Sequence, residues 1–479
     1  MAHRPAAWGR APGLAWLLAL LLVAAAASGQ PRPPRARPVA VPTNLVALGD
    51  QLVFSLDDGV RGQELWRLQP DTLQAERVAD IRPGPLGSHP STPVRFGDRV
   101  CFAANDGQTG FELWCSDGQA AGTRLVADIH PGAGDSVPSA LTVLGEHLLL
   151  VADDGQHGFE LWVSNGQAAG TRLLADIHPG PAGANPRELT VVGGRVFFVA
   201  DDGRHGAELW VTDGTAAGTR LVRDIRPGPD ASGPSRLQAF GQQLLFTAND
   251  GVHGPELWIS DGTAAGTRLV RDIRPGAQGA RPSHLVVMGG LAYFAADDGR
   301  RGTELWRSDG HRAGTWRVAD LNPGAGSSMP SFLTAVAGQL LFSAHDGRSA
   351  VTLWRSDGTA AGTRPVANGV AAGEAPNRLH ADGRRLLYAA MDSDGGYELW
   401  RSSGQAAGTF RLADLNPGPF DSYPHGFTRI GQRLFFVADD AQRLTSLWCE
   451  QPDGRIVQVT LPVQAALAAA AAAPPPPAE

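Results

Sequence analysis

The chain is a succession of short apolar runs separated by polar turns, and no stretch sustains a helical period over three turns. Between residues 139 and 177 the runs read "SALTVLG", "HLLLVAD", "FELWVS" and "TRLLADI". Each has strand length, is rich in Val, Leu, Phe or Trp, and is bounded by Gly, Asp, Asn or Pro. The same four runs recur along the chain, and their Leu-Trp pair measures the interval. Trp66, Trp114, Trp162, Trp210, Trp258, Trp306, Trp354, Trp400 and Trp448 follow at 48 residues, except for 46 between Trp354 and Trp400. Four strands in a repeat of ~40–50 residues is the pattern of a β-propeller blade. The expected fold is all-β, a β-propeller of four-stranded blades with nine repeats in one ring. An eight-bladed ring with an aberrant terminal repeat is the alternative. Propellers typically hold ~4–8 blades, and the ninth copy, "ADDAQRLTSLWCEQPDG", is degraded.

Composition agrees with that pattern. A chain of 479 residues is too long for one ordinary core unless it is repetitive. Sixty Gly and 36 Pro beside 43% hydrophobic residues suit turn-rich β structure and exclude a disordered chain. The net charge of −7, with no basic run beyond the extreme N-terminus, argues against a nucleic-acid partner.

At the N-terminus, Arg4 and Arg10 precede the apolar "LAWLLALLLVAAAA", followed by the small residues Ser28 and Gly29. Residues 1–29 read as a signal peptide, with an uncleaved anchor as the alternative. The run is short for a span of ~20 residues, so no membrane span is expected after cleavage. The expected organisation continues with a Pro-rich leader at 30–42, the propeller at 43–461 and an Ala/Pro-rich disordered tail at 462–479. The protein is expected to be exported (periplasmic, secreted or on the bacterial cell surface) and monomeric. Cys101 and Cys115 fall on neighbouring strands of one hairpin, where they either pair, as export permits, or stay two core thiols. Cys449 has no evident partner.

"ELWVTDGTAAGTR" (Glu208–Arg220) and "ELWISDGTAAGTR" (Glu256–Arg268) resemble the ELWxxDGT repeat of exported bacterial proteins, and the resemblance covers nearly all of residues 43–461. It implies no defined activity. "ANDGQTGFELW" is also similar to the tryptophan-docking motif of quinoprotein (PQQ) dehydrogenase propellers, with Ala104, Asp106, Thr109, Gly110, Glu112 and Trp114 at the matching positions. That resemblance implies that each of the nine Trp docks one blade on its neighbour, wedged against the next. Thr352 and Ser446 replace the motif's Glu in the seventh and ninth copies. The vicinal cysteine pair that characterises the quinone enzymes is missing, so no quinone is expected.

The other repeated letters read as framework. The second Asp of "DDG" (Asp58, Asp106, Asp154, Asp202, Asp250, Asp298 and Asp346) precedes a turn Gly and is expected to bond local backbone. Calcium held by these carboxylates is the functional alternative. "SDGTAAGT" reads as a turn between the third and fourth strands. Asp80, Asp128, Asp176, Asp224, Asp272, Asp320 and Asp414 read as strand-end caps, since seven copies in like environments cannot split their pKa values as paired catalytic acids must.

Two columns vary while their neighbours repeat. One, preceding the Leu of the innermost strand, reads Asn44, Thr92, Ala140, Glu188, Arg236, His284, Phe332, Arg378 and Gly426. Glu188, Arg236, His284, Phe332 and Arg378 are the candidate ligand-binding residues, expected at the channel mouth. The other reads Arg61, Thr109, His157, His205, His253, Arg301 and Ser349. Its three histidines suggest a metal, but zinc needs its donors within about 2.1 Å of one point, and loops of adjacent blades are not expected to converge so closely. No nucleophile with a sequence-local activator and no cofactor fingerprint is found. The expected function is a non-enzymatic scaffold that binds protein or glycan through its loop face, with no catalytic residue and no cofactor. The alternatives are a propeller enzyme of lyase or glycosidase type, with its site at the channel mouth, and a calcium-stabilised structural propeller.

Overall fold

The computed structural model describes residues 41–367 and 373–462. The expected signal peptide, most of the leader and nearly all of the tail lie outside the described residues. The described chain forms nine antiparallel sheets, each of four consecutive strands in chain order. They are blades 1 to 9, at residues 43–77, 91–127, 139–175, 187–223, 235–271, 283–317, 331–365, 374–413 and 425–458. First strands are innermost and lie side by side around the axis, that of blade 9 (His425–Ile430) against that of blade 1 (Thr43–Leu48). The ninth copy, degraded in sequence, is a full blade, so the ring has nine blades.

The near-continuous apolar runs of the second strands follow from this arrangement, because each blade is covered on both faces. In blade 3, Leu148, Leu150 and Ala152 pack on blade 2, whereas the intervening Leu149 packs on blade 4. Nine apolar clusters fill the nine interfaces, the last joining Phe435, Val437 and Leu447 of blade 9 to Leu52, Phe54 and Trp66 of blade 1. No strand crosses that seam. It is closed by the apolar cluster, by Arg433 Nη1 at 2.7 Å from Asp71 Oδ1, and by the Thr428 hydroxyl donating to the Leu45 carbonyl at 3.4 Å.

All nine tryptophans lie in these interfaces, but the direction differs from expectation. Each indole packs on the preceding blade, as Trp114 does on Val53, Leu65 and Val78 of blade 1. Opposite each Trp on the second strand stands a large side chain, Phe102 beside Trp114 and Phe246 beside Trp258, and the pair forms the wedge. The indole N–H of Trp354, Trp400 and Trp448 donates to the carbonyl ten residues earlier at 3.0–3.1 Å. In blades 1 to 6 it is buried without a protein acceptor. Between blades 8 and 9 the apolar cluster is smallest, and an ionic network supplements it. Asp382, buried, accepts from Arg429 Nε at 2.6 Å and Arg385 Nε at 2.8 Å, and Arg385 Nη1 reaches Glu450 Oε1 at 2.7 Å. Cys101 and Cys115, directly opposite in blade 2, form a disulfide with Cα atoms 4.1 Å apart, while Cys449 is free and buried. No helix among the described residues is long and apolar enough to cross a membrane.

Trp162→Ala should lower stability by about 3–5 kcal/mol, read as a lower denaturation midpoint. Trp316→Ala, on an outer strand and partly exposed, should cost about 0.5 kcal/mol or less. Equal shifts would contradict the docking role.

Candidate binding site at the channel mouth

The connector from each fourth strand to the next blade runs on the same face as the turn between second and third strands. The connector is held there by the motif's glutamate. Glu64, Glu112, Glu160, Glu208, Glu256, Glu304 and Glu398 are buried, and most bond to the connector 17–24 residues downstream. Glu64 accepts from the backbone N–H of Ile81, Arg82 and Ser88 at 3.0–3.1 Å and from the Ser88 hydroxyl at 2.6 Å. Glu208 accepts from Ile225 and Ser232 N–H at 3.2 and 2.9 Å and from the Ser232 hydroxyl at 2.5 Å. The anchored residue bridges two blades: Ser88 N–H donates to Gln63 O of blade 1, and its carbonyl accepts Asn105 N–H of blade 2. Burial pushes these carboxyls above their ordinary range, and the amide and hydroxyl donors pull against it.

The two copies without glutamate follow the same logic. Blade 9 is followed by no further blade among the described residues, and there Ser446 and Gln458 bond Asp440 at 3.0 and 2.8 Å instead. After Thr352 the connector to blade 8 is two residues shorter, and Ala375 N–H takes the Val351 carbonyl at 2.8 Å.

Each anchored connector delivers the next blade's variable residue. All nine of the first column, from Asn44 to Gly426, have φ between +49° and +67°. In each case the pairing of first and second strands skips register there. These are β-bulges, which re-aim a side chain at a sheet edge. A left-handed backbone costs an L-residue ~1–2 kcal/mol, and Gly or Asn avoids most of it. Only Asn44 and Gly426 are of that kind; the position otherwise holds Thr, Ala, Glu, Arg, His and Phe.

The structure places Glu188, Arg236, His284, Phe332 and Arg378 at these bulges in blades 4 to 8, all exposed, and links Glu188, His284, Phe332 and Arg378 to an adjacent blade. Glu188 Oε2 accepts Leu237 N–H of blade 5 at 3.1 Å. His284 and Phe332 have ring centroids 6.1 Å apart. Arg378 Nη1 donates to the Tyr423 carbonyl at 3.0 Å, with its guanidinium carbon 5.6 Å from that ring's centroid. Partial desolvation at the mouth, then the Arg236 charge, holds the His284 imidazole below its usual range, so it is neutral near pH 7.

A second ring of residues was not singled out from the sequence. The residue before the connector proline is also left-handed in eight blades: His89, Val137, Asn185, Gly233, Arg281, Met329, Ala375 and Tyr423. Their signal is the recurring X-Pro three residues before the first column. Proline disfavours the helical region for its predecessor, but the residue types do not announce a left-handed backbone.

The remaining repeated positions are framework. Asp154 Oδ1 accepts the amides of Gln156 and His157, and its Oδ2 takes His157 Nδ1 at 2.8 Å. His205 and His253 are likewise tied to Asp202 and Asp250 of their own blades, at 2.8 and 2.7 Å. The second column is therefore spread blade by blade and does not converge. Asp128 and Asp224 cap their connectors through Gly132 and Gly228 N–H, both at 3.2 Å. Asp213 closes its turn on the Thr215 amide and hydroxyl at 2.9 and 2.7 Å.

Fold and site together define a nine-bladed β-propeller with an asymmetric channel mouth. No family model matches the chain, and no curated protein matches it in sequence. Among solved structures it is similar to a puromycin hydrolase at 15% identity, covering 74% of this chain and 58% of that one, with a TM-score of 0.37. It is similar to the β-propeller domain of the trilobed protease of Pyrococcus furiosus at 11% identity, over 78% and 98% of the two chains, with a TM-score of 0.37. A prolyl endopeptidase aligns at 15% identity, over 74% of this chain and 54% of that one, with a TM-score of 0.41. At these TM-scores none of them bears on the chemistry of the mouth.

Glu256, whose connector offers Ala280 in place of the serine hydroxyl, is pushed up to about 7 by burial. Its contribution to stability is fully present below about 4.5 and is lost as pH rises through about 7. Between those values Glu256→Gln should gain stability relative to wild type as pH increases, in denaturant midpoints at each pH. A constant difference would contradict the assignment.

Proposed function

We propose that the protein is an exported propeller of the ELWxxDGT-repeat kind that binds a partner, protein or glycan, at its channel mouth. Glu188, Arg236, His284, Phe332 and Arg378 are the contact residues. The observation that carries this reading is the set of residues at the nine bulges. A position that only had to turn the chain would be served at least cost by Gly, whereas blades 4 to 8 place two arginines, a glutamate, a histidine and a phenylalanine there. Backbone strain kept at an exposed, variable position supports a binding role over a structural one. The proposed role uses no cofactor or metal, and the protein acts as a monomer. Export is supported by the Cys101–Cys115 disulfide, which suits an oxidising compartment, and by the N-terminal pattern.

Binding is favoured over catalysis because the mouth's titratable groups are tied up singly. Glu188 is engaged by a backbone amide, and His284 lies against Phe332. Among the described residues neither is hydrogen-bonded to a nucleophile or to a second carboxylate.

The test is capture from the source organism's envelope fraction and on a glycan array. Phe332→Ala/Arg378→Ala should lose at least about 90% of the captured ligand with an unchanged melting temperature. Val191→Asp, at the other end of an innermost strand, should retain it. Loss only with Val191→Asp would overturn the reading.

A further inference from the structure

The two rings of left-handed residues differ in character around the axis. Blades 9, 1, 2 and 3 present Gly426, Asn44, Thr92 and Ala140 in the inner ring, all small or neutral. From blade 5 to the entry of blade 9 the two rings present Arg236, Arg281, His284, Met329, Phe332, Ala375, Arg378 and Tyr423, where the second ring at blades 2 and 3 holds His89 and Val137. Across both rings there are three arginines and one carboxylate, Glu188, which lies at the edge of this crescent and is bound to Leu237 N–H. Glu374 and Asp421, the latter accepting Tyr397 N–H at 3.0 Å, flank these rings on their connectors, so it is the rings themselves that carry the sign opposite to the chain's net charge of −7. The chain has no lysine, so each of these cations is a guanidinium fork that can take a carboxylate through two parallel bonds. The turn aspartates Asp250, Asp298 and Asp346 sit farther from the axis, each holding backbone amides.

The apolar groups lie on the same face. Met329, Phe332 and Tyr423 are 64%, 42% and 40% exposed, and Tyr423 is stacked on Tyr397 at 5.6 Å. Val252, Val351 and Phe420 are also exposed on turns and connectors of this crescent, whereas Val60, Leu86 and Val137 are exposed on the same face in blades 1 to 3. Arg, Met and aromatic residues are the types enriched where proteins bury one another. Exposed aliphatic side chains find apolar partners on a polypeptide and few on a polysaccharide.

We propose that the crescent of blades 5 to 9 receives an acidic, aromatic-bearing polypeptide segment of a partner protein. Arg236, Arg281 and Arg378 take its carboxylates, and Met329, Phe332 and Tyr423 take its apolar side chains. This rests on the reading that the mouth binds, and specifies its ligand.

Fluorescence anisotropy with a fluorescein-labelled (Glu-Phe)4 peptide, its (Gln-Phe)4 counterpart and a labelled oligogalacturonate distinguishes the cases. The acidic peptide should bind at least about tenfold more tightly than the glutamine peptide. Arg281→Gln/Arg378→Gln should weaken it about tenfold with an unchanged melting temperature, whereas Arg172→Gln, on an outer strand, should leave it unchanged. Equal binding of the two peptides, or no effect of the double variant, overturns the proposal. Binding of oligogalacturonate alone overturns it and leaves the mouth as the binding site. So does failure of all three probes while Phe332→Ala/Arg378→Ala still releases the captured partner. Failure of the capture experiment as well removes the underlying reading.

Discussion

The contact between neighbouring blades is the interaction on which everything else rests. No blade of this chain can bury itself: its second and third strands are apolar on both faces and need a sheet on either side. The indole and its large cross-strand partner, aromatic in every blade but the third, fill one side, and the next blade's pair fills the other. Because no strand crosses between blade 9 and blade 1, closure depends on that same lateral contact, here Trp66 against Leu447 and Cys449. A ring held by nine like interfaces tolerates one that is thin, provided something else bridges it, as Asp382, Arg385, Arg429 and Glu450 do between blades 8 and 9.

A second constraint sits on the first. In seven blades the buried glutamate fastens the connector to the third strand, beside the fourth strand that the connector has just left, and the connector in turn bonds the second strand of the blade it is about to enter. The chain is thereby held firmly enough to keep two left-handed residues per connector, each at ~1–2 kcal/mol for a side chain other than Gly or Asn. The framework's regularity allows irregularity at the mouth, since backbone geometry there is imposed from outside the residue that adopts it. Side-chain identity is then free to differ from blade to blade.

Much of this was legible in the sequence. The Trp ruler and the four runs per repeat carry the blade number and the strand order, and Asp-Gly pairs carry the turns, because those features depend on local pattern and burial. The direction in which an indole packs was not legible: a strand alternation states that Trp and Glu share a parity, not which neighbour that face meets. The glutamate's role was readable in hindsight, since the copies that lack it, at Thr352 and Ser446, also lack the connector that it binds, Asp-Ile-x-Pro-Gly or Asp-Leu-Asn-Pro-Gly. The left-handed columns were least visible. Arg281, Met329 and Tyr423 have no propensity for that backbone, and tertiary hydrogen bonds impose it. Column variability alone led to Glu188, Arg236, His284, Phe332 and Arg378, and it missed the ring that interleaves with them.

The account's central claim is that one end of the channel, on the side of blades 5 to 9, is the working surface of an otherwise structural wheel. Photo-cross-linking in the native compartment tests it most directly. A photoreactive amino acid placed in turn at Phe332, Met329 and Tyr423, at Val137 on the opposite side of the same mouth, and at Val191 at the other end of the channel would report what each touches. The account predicts one shared adduct at the first three positions and none at the last two. The same adduct at all five, or an adduct confined to Val191, would contradict it.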